Sequence, residues 1–210
     1  MSKCEYCSTE QNDTLYCHEC TNSNSKLPLR LKTCNYKLIA AVSKNNGIGK
    51  QGNLPWRIKE DLKFFSKITK GSGNNAVVMG RKTWDSLRGK SLLGRDNYIL
   101  SSKLNIDEHK CENVIKSFSC IDTMESHICS RNYDDVWIIG GCEIYKTFLH
   151  SNKVSMCYIT YIDEDFDCDT FFPTLSSVWK QADCKELVTG NNYKVEIKMF
   201  ENIIQSMDSG

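Results

Sequence analysis

One acidic side chain, Asp61, stands at a position where a helical pattern calls for an apolar residue. At about 100° per residue, Ile58, Leu62 and Phe65 share one arc of the predicted helix, and Asp61 falls within that arc. Burial of an unpaired carboxylate is costly, so such a site must supply a partner or raise the pKa of the acid. The pattern indicates a carboxylate that controls a proton, although a slightly rotated helix would leave Asp61 in solvent.

Glycines follow two apolar segments that have the length and composition of buried strands. Gly80 follows Ala76–Met79, Gly140 follows Val136–Ile139, and each glycine precedes a predicted helix. Free backbone N–H groups at the start of a helix bind phosphate, and two basic residues come directly after Gly80. The pattern predicts a nucleotide-binding edge of a sheet, while structural turns can show the same pattern.

Two C-x-x-C pairs occupy the N-terminal segment, with the short stretch Ser8–Tyr16 between them. Each pair can present two thiolates from a tight turn, and two such turns complete a tetrahedral site that suits zinc. His18 could replace one cysteine, and an iron–sulfur site, a redox dithiol pair or a disordered tail with incidental cysteines are alternatives. Such a segment could also bind a protein partner. The predicted zinc ligands are Cys4, Cys7, Cys17 and Cys20.

The composition is that of an ordinary globular protein: 210 residues, 40% of them hydrophobic and 25% charged. A net charge of +1 gives no electrostatic case for binding nucleic acid or a membrane surface. No apolar run approaches the roughly 18 residues that span a bilayer, and the N-terminus lacks the apolar core of a secretory signal. We expect a cytoplasmic protein in which eight cysteines are reduced and act as small apolar side chains. These are Cys34, Cys111, Cys120, Cys129, Cys142, Cys157, Cys168 and Cys184.

Strand and helix signals alternate along most of the chain, which predicts an α/β fold with a mostly parallel central sheet and helices on both faces. Trp179–Val188 and Tyr193–Phe200 predict a closing antiparallel hairpin. We predict a small metal-binding appendage at residues 1–20, a linker at 21–33, the main domain at 34–203 and a polar tail at 204–210. The other predicted strands are Tyr36–Val42, Ala76–Met79, Asn97–Leu100, Asn113–Phe118, Val136–Ile139 and Val154–Ile162. The predicted helices are Arg57–Thr69, Arg81–Leu87, Ser119–Ser130 and Glu143–Leu149, with Gly47, Gly49 and Gly52 in an irregular loop before the first of them.

Six motifs occur in an order that resembles the dihydrofolate reductase family. They are GIGKQGNLPW, Asp61 five residues after Trp56, VVMGRKTWDSL, LLGRDNYILSS, WIIGGCEIY and DCDTFFP. The resemblance runs from about Tyr36 to Asn202. It implies the reduction of 7,8-dihydrofolate to 5,6,7,8-tetrahydrofolate with NADPH, by hydride transfer to C6 and protonation at N5. The chain ends soon after the last motif, so no thymidylate synthase domain is expected behind it.

The resemblance implies which residues act on the substrate. The carboxylate that corresponds to Asp61 hydrogen-bonds the pterin and favours the form protonated at N5, and a water molecule delivers the proton. Trp56 and Thr160 accompany Asp61, and Arg95 binds the glutamate carboxylate of the substrate. The residues expected at the substrate are Ile39, Ala40, Leu54, Asp61, Leu62, Phe65, Leu92, Arg95 and Thr160.

For several of these residues the sequence alone favours a plainer interpretation. Thr160 could be an ordinary strand residue. Packing in the core is the alternative for the apolar residues Ile48, Leu54, Trp56, Leu62, Phe65 and Leu92.

The resemblance also implies an NADPH site at the two glycine positions. Arg81–Thr83 are expected to meet the phosphates, and Ser102 the 2′-phosphate. Ile139 and Tyr145 are expected near the nicotinamide, next to a Gly140–Gly141 peptide that family members hold cis. The residues expected at the cofactor are Ala41, Ile48, Gly49, Gly80, Arg81, Lys82, Thr83, Leu100, Ser101, Ser102, Ile139, Gly140, Gly141, Cys142, Glu143, Ile144 and Tyr145.

Three positions depart from the family pattern. Leu62 stands where many eukaryotic members place the acid, so the acidic role falls on Asp61. Ser91 replaces a usual proline at the rim of the substrate pocket. Glu143 stands where some members have a basic residue, which weakens the expected preference for NADPH over NADH.

Two other functions remain open at this level. A pyrimidine reductase of riboflavin synthesis shares the fold, but the LPW motif followed by Asp61 argues against it. A catalytically silent domain of a zinc-dependent scaffold is the other alternative, and the intact Asp61, Arg81, Gly140 and Gly141 argue against that.

Overall fold

The computed structural model describes residues 34–110, 113–190 and 193–204. The predicted zinc ligands Cys4, Cys7, Cys17 and Cys20, the linker at 21–33 and most of the predicted tail lie outside these ranges. In the described ranges, no helix has the length and apolar character needed to cross a membrane.

A nine-stranded sheet forms the centre of the described chain, in the order β10-β11-β8-β1-β7-β3-β4-β6-β5. The six strands from β8 to β6 in this order are mutually parallel, while β10, β11 and β5 are antiparallel to their neighbours. A separate two-stranded sheet pairs β2 with β9. The strands are β1 Tyr36–Ser43, β2 Gly47–Gly49, β3 Ala76–Gly80, β4 Asp96–Leu100, β5 Asp107–Lys110, β6 Asn113–Phe118, β7 Val136–Ile138, β8 Val154–Ile162, β9 Thr170–Phe171, β10 Trp179–Leu187 and β11 Val195–Asn202.

Helices cover both faces of the sheet, as an alternating strand and helix pattern requires. On one face, α1 and α2 pack on Ile39, Val77 and Trp137. On the other face, α3 and α4 pack on Leu38 and Val78. The prediction of a mostly parallel α/β fold with a C-terminal hairpin is therefore confirmed. The helices are α1 Lys59–Lys70, α2 Arg81–Ser86, α3 Ile121–Cys129 and α4 Cys142–His150.

The glycine-rich loop is more ordered than the sequence predicts. Gly47 and Gly49 form β2 by pairing with β9, and of the three loop glycines only Gly52 has a positive φ, of 77°. Gly47 is needed for a different reason: a β-carbon there would lie 2.6 Å from Cβ of Cys168 and 2.8 Å from Oγ of Ser43. Close packing of two segments, rather than turn geometry, therefore explains this glycine.

The expectation that the eight cysteines of the main domain are reduced apolar side chains is wrong for Cys34 and Cys129, and Cys111 lies outside the described residues. Cys34, two residues before β1, and Cys129, at the end of α3, are joined as a disulfide across 95 residues, with Cα atoms 5.6 Å apart. The fold brings the start of the central strand beside the end of this helix. Cys120 and Cys184 are exposed thiols, whereas Cys157 is buried in the core as expected.

Candidate active site

Asp61 lies in the first turn of α1 and is only 7% exposed. Burial raises the pKa of this carboxyl group, and a hydrogen bond from the Thr160 side chain opposes that rise. Thr160 is 1% exposed on β8, where it pairs with Ala41 of β1. The predicted in-face carboxylate is therefore buried, with a hydroxyl partner supplied by the central sheet.

Tyr145 of α4 connects the central strand to the region expected to hold the nicotinamide. Its hydroxyl donates a 2.8 Å hydrogen bond to the carbonyl of Ile39, and its ring meets Phe172 edge-on with centroids 5.1 Å apart. Burial raises the pKa of Tyr145 strongly, and the nearby charge of Asp61 adds to the effect. The charge of Asp61 therefore lies near enough to Tyr145 to influence its hydroxyl group.

The two strand-end glycines meet each other, as parallel strands that end at one edge of a sheet predict. The N–H of Gly80 donates a 2.7 Å hydrogen bond to the carbonyl of Gly140, and the Gly140–Gly141 peptide is cis, as the resemblance implied. A β-carbon on Gly140 would lie 2.9 Å from Cζ of Tyr145, and one on Gly141 would lie 3.4 Å from Oγ1 of Thr83. The arrangement forms a cradle of bare backbone between the starts of α2 and α4.

Charged residues flank this cradle. Arg81 is half-buried and contacts Asp85 at 2.5 Å, and Lys82 is exposed. Glu143 is exposed and pairs with Lys146 at 3.1 Å, so its charge is partly balanced. The remaining predicted cofactor residues lie at the same edge of the sheet: half-buried Leu100, Ser101, Ile139 and Cys142, buried Ile144 and exposed Ser102.

Two predicted apolar residues are too exposed to be core residues. Leu54 is 48% exposed and Leu62 is 47% exposed, so the packing alternative is wrong for both. Trp56 is buried against Phe166 with ring centroids 5.1 Å apart, and its indole N–H has no partner among the described residues. Ile48, Phe65 and Leu92 are half-buried.

β1 places its predicted residues on opposite sides of the sheet, because side chains alternate along a strand. Ile39 faces α1, whereas Ala40 belongs to the core on the side of α3 and α4. Ala41 is half-buried and packs beside Trp56 and Ile58. The side chains of Ile39 and Ala40 therefore point in different directions.

Arg95 is only 5% exposed, although no Asp or Glu oxygen in the described part of the chain lies within 4.0 Å of it. Its Nε donates to the carbonyl of Leu93 at 3.3 Å, its Nη1 to the carbonyl of Ser66 at 3.5 Å and to Thr69 Oγ1. The guanidinium also lies 5.9 Å from the centre of the Phe65 ring. A buried cation with no anionic partner indicates a position prepared for an anionic group of a ligand.

Asp169 holds the glycine-rich loop and was missed as a functional residue, although it lies within the DCDTFFP motif. Its Oδ2 accepts a 2.7 Å hydrogen bond from the N–H of Gln51, and its own N–H donates to the carbonyl of Gly49 at 3.0 Å. The hydrogen bonds lower the pKa of Asp169. Because this two-way contact fixes the loop beside β9, Asp169 is a positioning residue for Ile48 and Gly49.

We expect Asp169→Asn to loosen this loop and to lower kcat by about three- to ten-fold, since an amide accepts the Gln51 hydrogen bond less strongly than a carboxylate. Steady-state kinetics would measure the change. Asp167→Asn is the control, because exposed Asp167 meets the same loop through an ion pair with the Lys50 side chain, at 2.9 Å, and accepts no hydrogen bond from the loop backbone among the described residues. Equal effects of the two substitutions would show that loss of a negative charge beside the loop, not the backbone contact of Asp169, is responsible.

The carboxyl edge of the parallel sheet thus carries a bare glycine cradle and the buried carboxylate of Asp61, while the buried guanidinium of Arg95 lies directly before β4, near the C-terminal end of α1. Such an arrangement suits an α/β protein that holds a nucleotide beside a second, anionic ligand.

The comparisons with known proteins agree with this class. A model of the dihydrofolate reductase family matches residues 35–202. Dihydrofolate reductase of Drosophila melanogaster is 35% identical over 182 residues, which cover 79% of this chain and 97% of that protein. Dihydrofolate reductase of Enterococcus faecalis, solved in complex with NADP(H) and RAB-propyl, superposes with a TM-score of 0.66 at 27% identity, covering 80% of this chain and 95% of that one. The chain belongs to the dihydrofolate reductase family.

Some relatives are longer proteins. Bifunctional dihydrofolate reductase-thymidylate synthase 2 of Arabidopsis thaliana is 39% identical over 158 residues, which cover 71% of this chain and 28% of that protein. The chain therefore spans well under half the length of such bifunctional relatives.

Proposed function

We propose that this chain reduces 7,8-dihydrofolate to 5,6,7,8-tetrahydrofolate with NADPH. The observation that carries the proposal is the buried Asp61, which lies in the first turn of α1 and is hydrogen-bonded by Thr160 of the central sheet, whose strand ends form the glycine cradle. NADPH would supply the hydride that reaches C6 of the pterin. Gly80, Gly140 and Gly141 bring bare backbone together at the strand ends, and NADPH would lie against that backbone.

Asp61 would act on the proton side of the reaction. Its carboxylate can accept hydrogen bonds from the amino group and a ring nitrogen of the pterin, which would stabilise the buried charge. The same pairing orients the pterin and favours its protonation at N5. Thr160 would hold the carboxylate from the sheet side and leave its other oxygen for the pterin, and a water molecule would carry the proton.

Exposed apolar side chains would enclose the substrate. Leu54 precedes Asp61 in the sequence and Leu62 follows it, and each side chain is about half exposed. A flat apolar ligand would cover both. Arg95 would bind the carboxylate at the far end of the substrate through its Nη atoms.

One optical assay tests the proposal: oxidation of NADPH in the presence of dihydrofolate. We expect turnover that requires both compounds. A pyrimidine intermediate of riboflavin synthesis in place of dihydrofolate is expected to give none. Absence of turnover with dihydrofolate at every pH from 5 to 9 would reject the proposal in favour of the silent domain.

Arg95→Lys is expected to raise KM for dihydrofolate by about ten-fold or more and to change kcat little, since a remote anchor contributes mainly uniform binding. A single ammonium cannot reproduce the two-pronged contact with a carboxylate. Arg131→Lys, at an exposed position after α3, is the control. Unchanged KM in Arg95→Lys would remove Arg95 from the substrate site.

We also propose that one zinc ion is bound by Cys4, Cys7, Cys17 and Cys20, on the basis of their spacing alone. A separate proposal is that the protein acts in the cytoplasm. Four thiolates in two closely spaced pairs could complete a tetrahedral zinc site, and metal binding would then supply the stability of this segment. In the part of the chain that the structure describes, no group of three or more His, Cys, Asp or Glu side chains could hold a metal.

Elemental analysis of protein purified without chelator is expected to give about one zinc per chain. Serine at Cys4 and Cys7 together should abolish the zinc and leave dihydrofolate reduction unchanged. Serine at the exposed Cys120 and Cys184 is the matched control and should leave the zinc in place. Iron in place of zinc, or no metal, would reject the assignment.

A further inference from the structure

The disulfide between Cys34 and Cys129 lies at the edge of the core, within reach of solvent. Both residues are half-buried, and their Cα atoms lie 5.6 Å apart, a separation that lets a disulfide open and close with little movement of the backbone. Among the described residues, Cys120 and Cys184 are exposed and remain free thiols. A disulfide in a chain that also keeps exposed thiols is typical of a bond that forms and breaks with redox conditions.

A second pair of side chains lies beside the disulfide, between the same two elements. Tyr36 follows Cys34 by two residues on the strand side, and Glu125 precedes Cys129 by one turn of α3, so each shares a face with its cysteine. The Tyr36 hydroxyl and Oε1 of Glu125 are both buried, and neither has a hydrogen-bond partner among the described residues, although Oε2 of Glu125 pairs with Lys153 at 2.5 Å. Burial raises the pKa of Tyr36, and the nearby charge of Glu125 raises it further.

The packing of α3 leaves a further polar atom unsatisfied. Nε2 of His127 is buried without a partner, and no other helix in the described part of the chain carries such an atom. Buried polar groups without hydrogen bonds destabilise the packing that buries them. The disulfide therefore holds a contact that the side chains alone satisfy poorly.

Only a short segment is free to move when this bond opens. The start of β1 stays in place, because β1 pairs with β7 on one side and with β8 on the other. Most of α3 is also anchored, since Met124 and Ile128 are fully buried in the core. The residues that follow, 129–132, are half-buried or exposed throughout, so the disulfide is their main link to β1.

We infer that Cys34 and Cys129 form a reversible exchange site for a small thiol of the glutathione class, at which reduction releases residues 129–132 and lowers the stability of the fold. The thiolate of one small thiol attacks a protein sulfur, the S–S bond breaks, and the cysteine that leaves takes up a proton. A second small thiol attacks the mixed disulfide and releases the other cysteine as a thiol. Two electrons and two protons thus pass to the chain, one small disulfide is formed, and oxidation by that disulfide is the reverse.

The expected effect falls on stability rather than on turnover. The bond links residues 95 positions apart, so breaking it frees a long loop in the unfolded chain and should lower the unfolding midpoint by about 5–15 °C. Cys34 precedes the start of β1, whereas Gly80 and Gly140 follow strand ends, so the exchange site and the candidate active site lie at opposite edges of the parallel sheet. The inference therefore does not depend on the proposed reduction of dihydrofolate.

The first test equilibrates the full-length protein in buffers with different ratios of reduced to oxidised glutathione, blocks its thiols by alkylation and quantifies the peptides by mass spectrometry. We expect Cys34 and Cys129 to be protected together, in equal fractions at every ratio, and to be linked to each other. Cys120 and Cys184 should instead form separate mixed disulfides with glutathione. A pair that is fully alkylated at every ratio, or one that stays closed in excess reduced glutathione, would overturn the inference.

Thermal unfolding of the oxidised and the reduced protein measures the effect on stability. Cys34→Ser/Cys129→Ser should unfold at the midpoint of the reduced parent under both conditions, and Cys120→Ser/Cys184→Ser is the control that should keep the full parental shift. Because Cys34→Ser/Cys129→Ser keeps the four N-terminal cysteines, a redox shift that survived in this variant would place the effect in another pair and overturn the inference.

Hydrogen exchange locates the segment that is released. Reduction of the parent should speed the exchange of backbone amides at residues 129–132 and leave the exchange of β3 unchanged. Tyr36→Phe removes the hydroxyl that the closed contact leaves without a partner, so exchange at residues 129–132 in the reduced variant should be slower than in the reduced parent. Equal exchange of these residues in the oxidised and the reduced parent would overturn their release.

Discussion

Asp61→Asn is expected to lose about 10²-fold or more of the parental kcat/KM at pH 7, while the fold and NADPH binding are retained. The substitution keeps the shape of the side chain and its contact with Thr160 but removes the charge that favours a protonated pterin. Part of the activity should return in acid, where the substrate arrives already protonated. Steady-state rates from pH 5 to 9, with NADPH affinity measured by fluorescence, would show both effects.

The same substitution should not lower the stability of the fold. Burial raises the pKa of Asp61 above its ordinary value of 3.8, so the folded chain binds a proton that the unfolded chain has already released. The stability that this group contributes therefore falls as the pH rises from the ordinary pKa of 3.8 through the raised pKa of the folded chain. Above the raised pKa the full cost of burying the charge is present. Asn removes that cost, and we expect an unfolding midpoint at pH 7 equal to or higher than that of the parent.

Glu60→Gln is the matched control, because Glu60 is the adjacent carboxylate and lies at the edge of the apolar arc. It should keep parental rates and the parental pH profile. If Asp61→Asn were as active as the parent at pH 7 and Glu60→Gln were not, the proton-side role would belong to Glu60. A lower unfolding midpoint for Asp61→Asn would contradict the direction of the pKa shift.

The sheet could be predicted from the sequence where burial left a strong pattern. Ala76–Met79 is fully buried between two parallel neighbours, so its composition alone identifies a central strand. By contrast, β5 was not predicted, because Asp107–Lys110 has no apolar alternation and exists as a strand through its pairing with β6. Gly47–Gly49 was predicted as a loop for a similar reason, since its partner β9 lies more than 100 residues away along the chain.

The candidate site was predictable where a residue breaks a local pattern and not where a long-range contact decides. Asp61 interrupts the apolar arc of α1, and Gly140 stands where an apolar strand ends. The structure places both at the same edge of the sheet. The carboxylate of Asp169 gives no such signal, because its partner Gln51 is known only once two distant loops meet. Leu54 and Leu62, which we propose enclose the substrate, look like core residues in sequence, and only their exposure shows otherwise.

Gly140→Ala is expected to have the largest effect on the cofactor, with an NADPH affinity about 10²-fold weaker than that of the parent. The new β-carbon would lie 2.9 Å from Cζ and 3.0 Å from the hydroxyl oxygen of Tyr145. The ring must then move, which breaks its 2.8 Å hydrogen bond to the carbonyl of Ile39 and displaces the start of α4. Titration with NADPH followed by fluorescence measures the affinity, and thermal unfolding measures the cost to the fold.

Gly73→Ala separates this contact from the strain of the backbone itself. Gly73 has a φ of 104°, close to the 105° of Gly140, but a β-carbon on Gly73 would meet no heavy atom within 4 Å. Both substitutions therefore cost the same backbone term, about 1–2 kcal/mol, which lowers the unfolding midpoint by several degrees. Only Gly140→Ala should also weaken NADPH binding. If the two variants bound NADPH with equal affinity, the cradle would not be the place where the cofactor meets the chain.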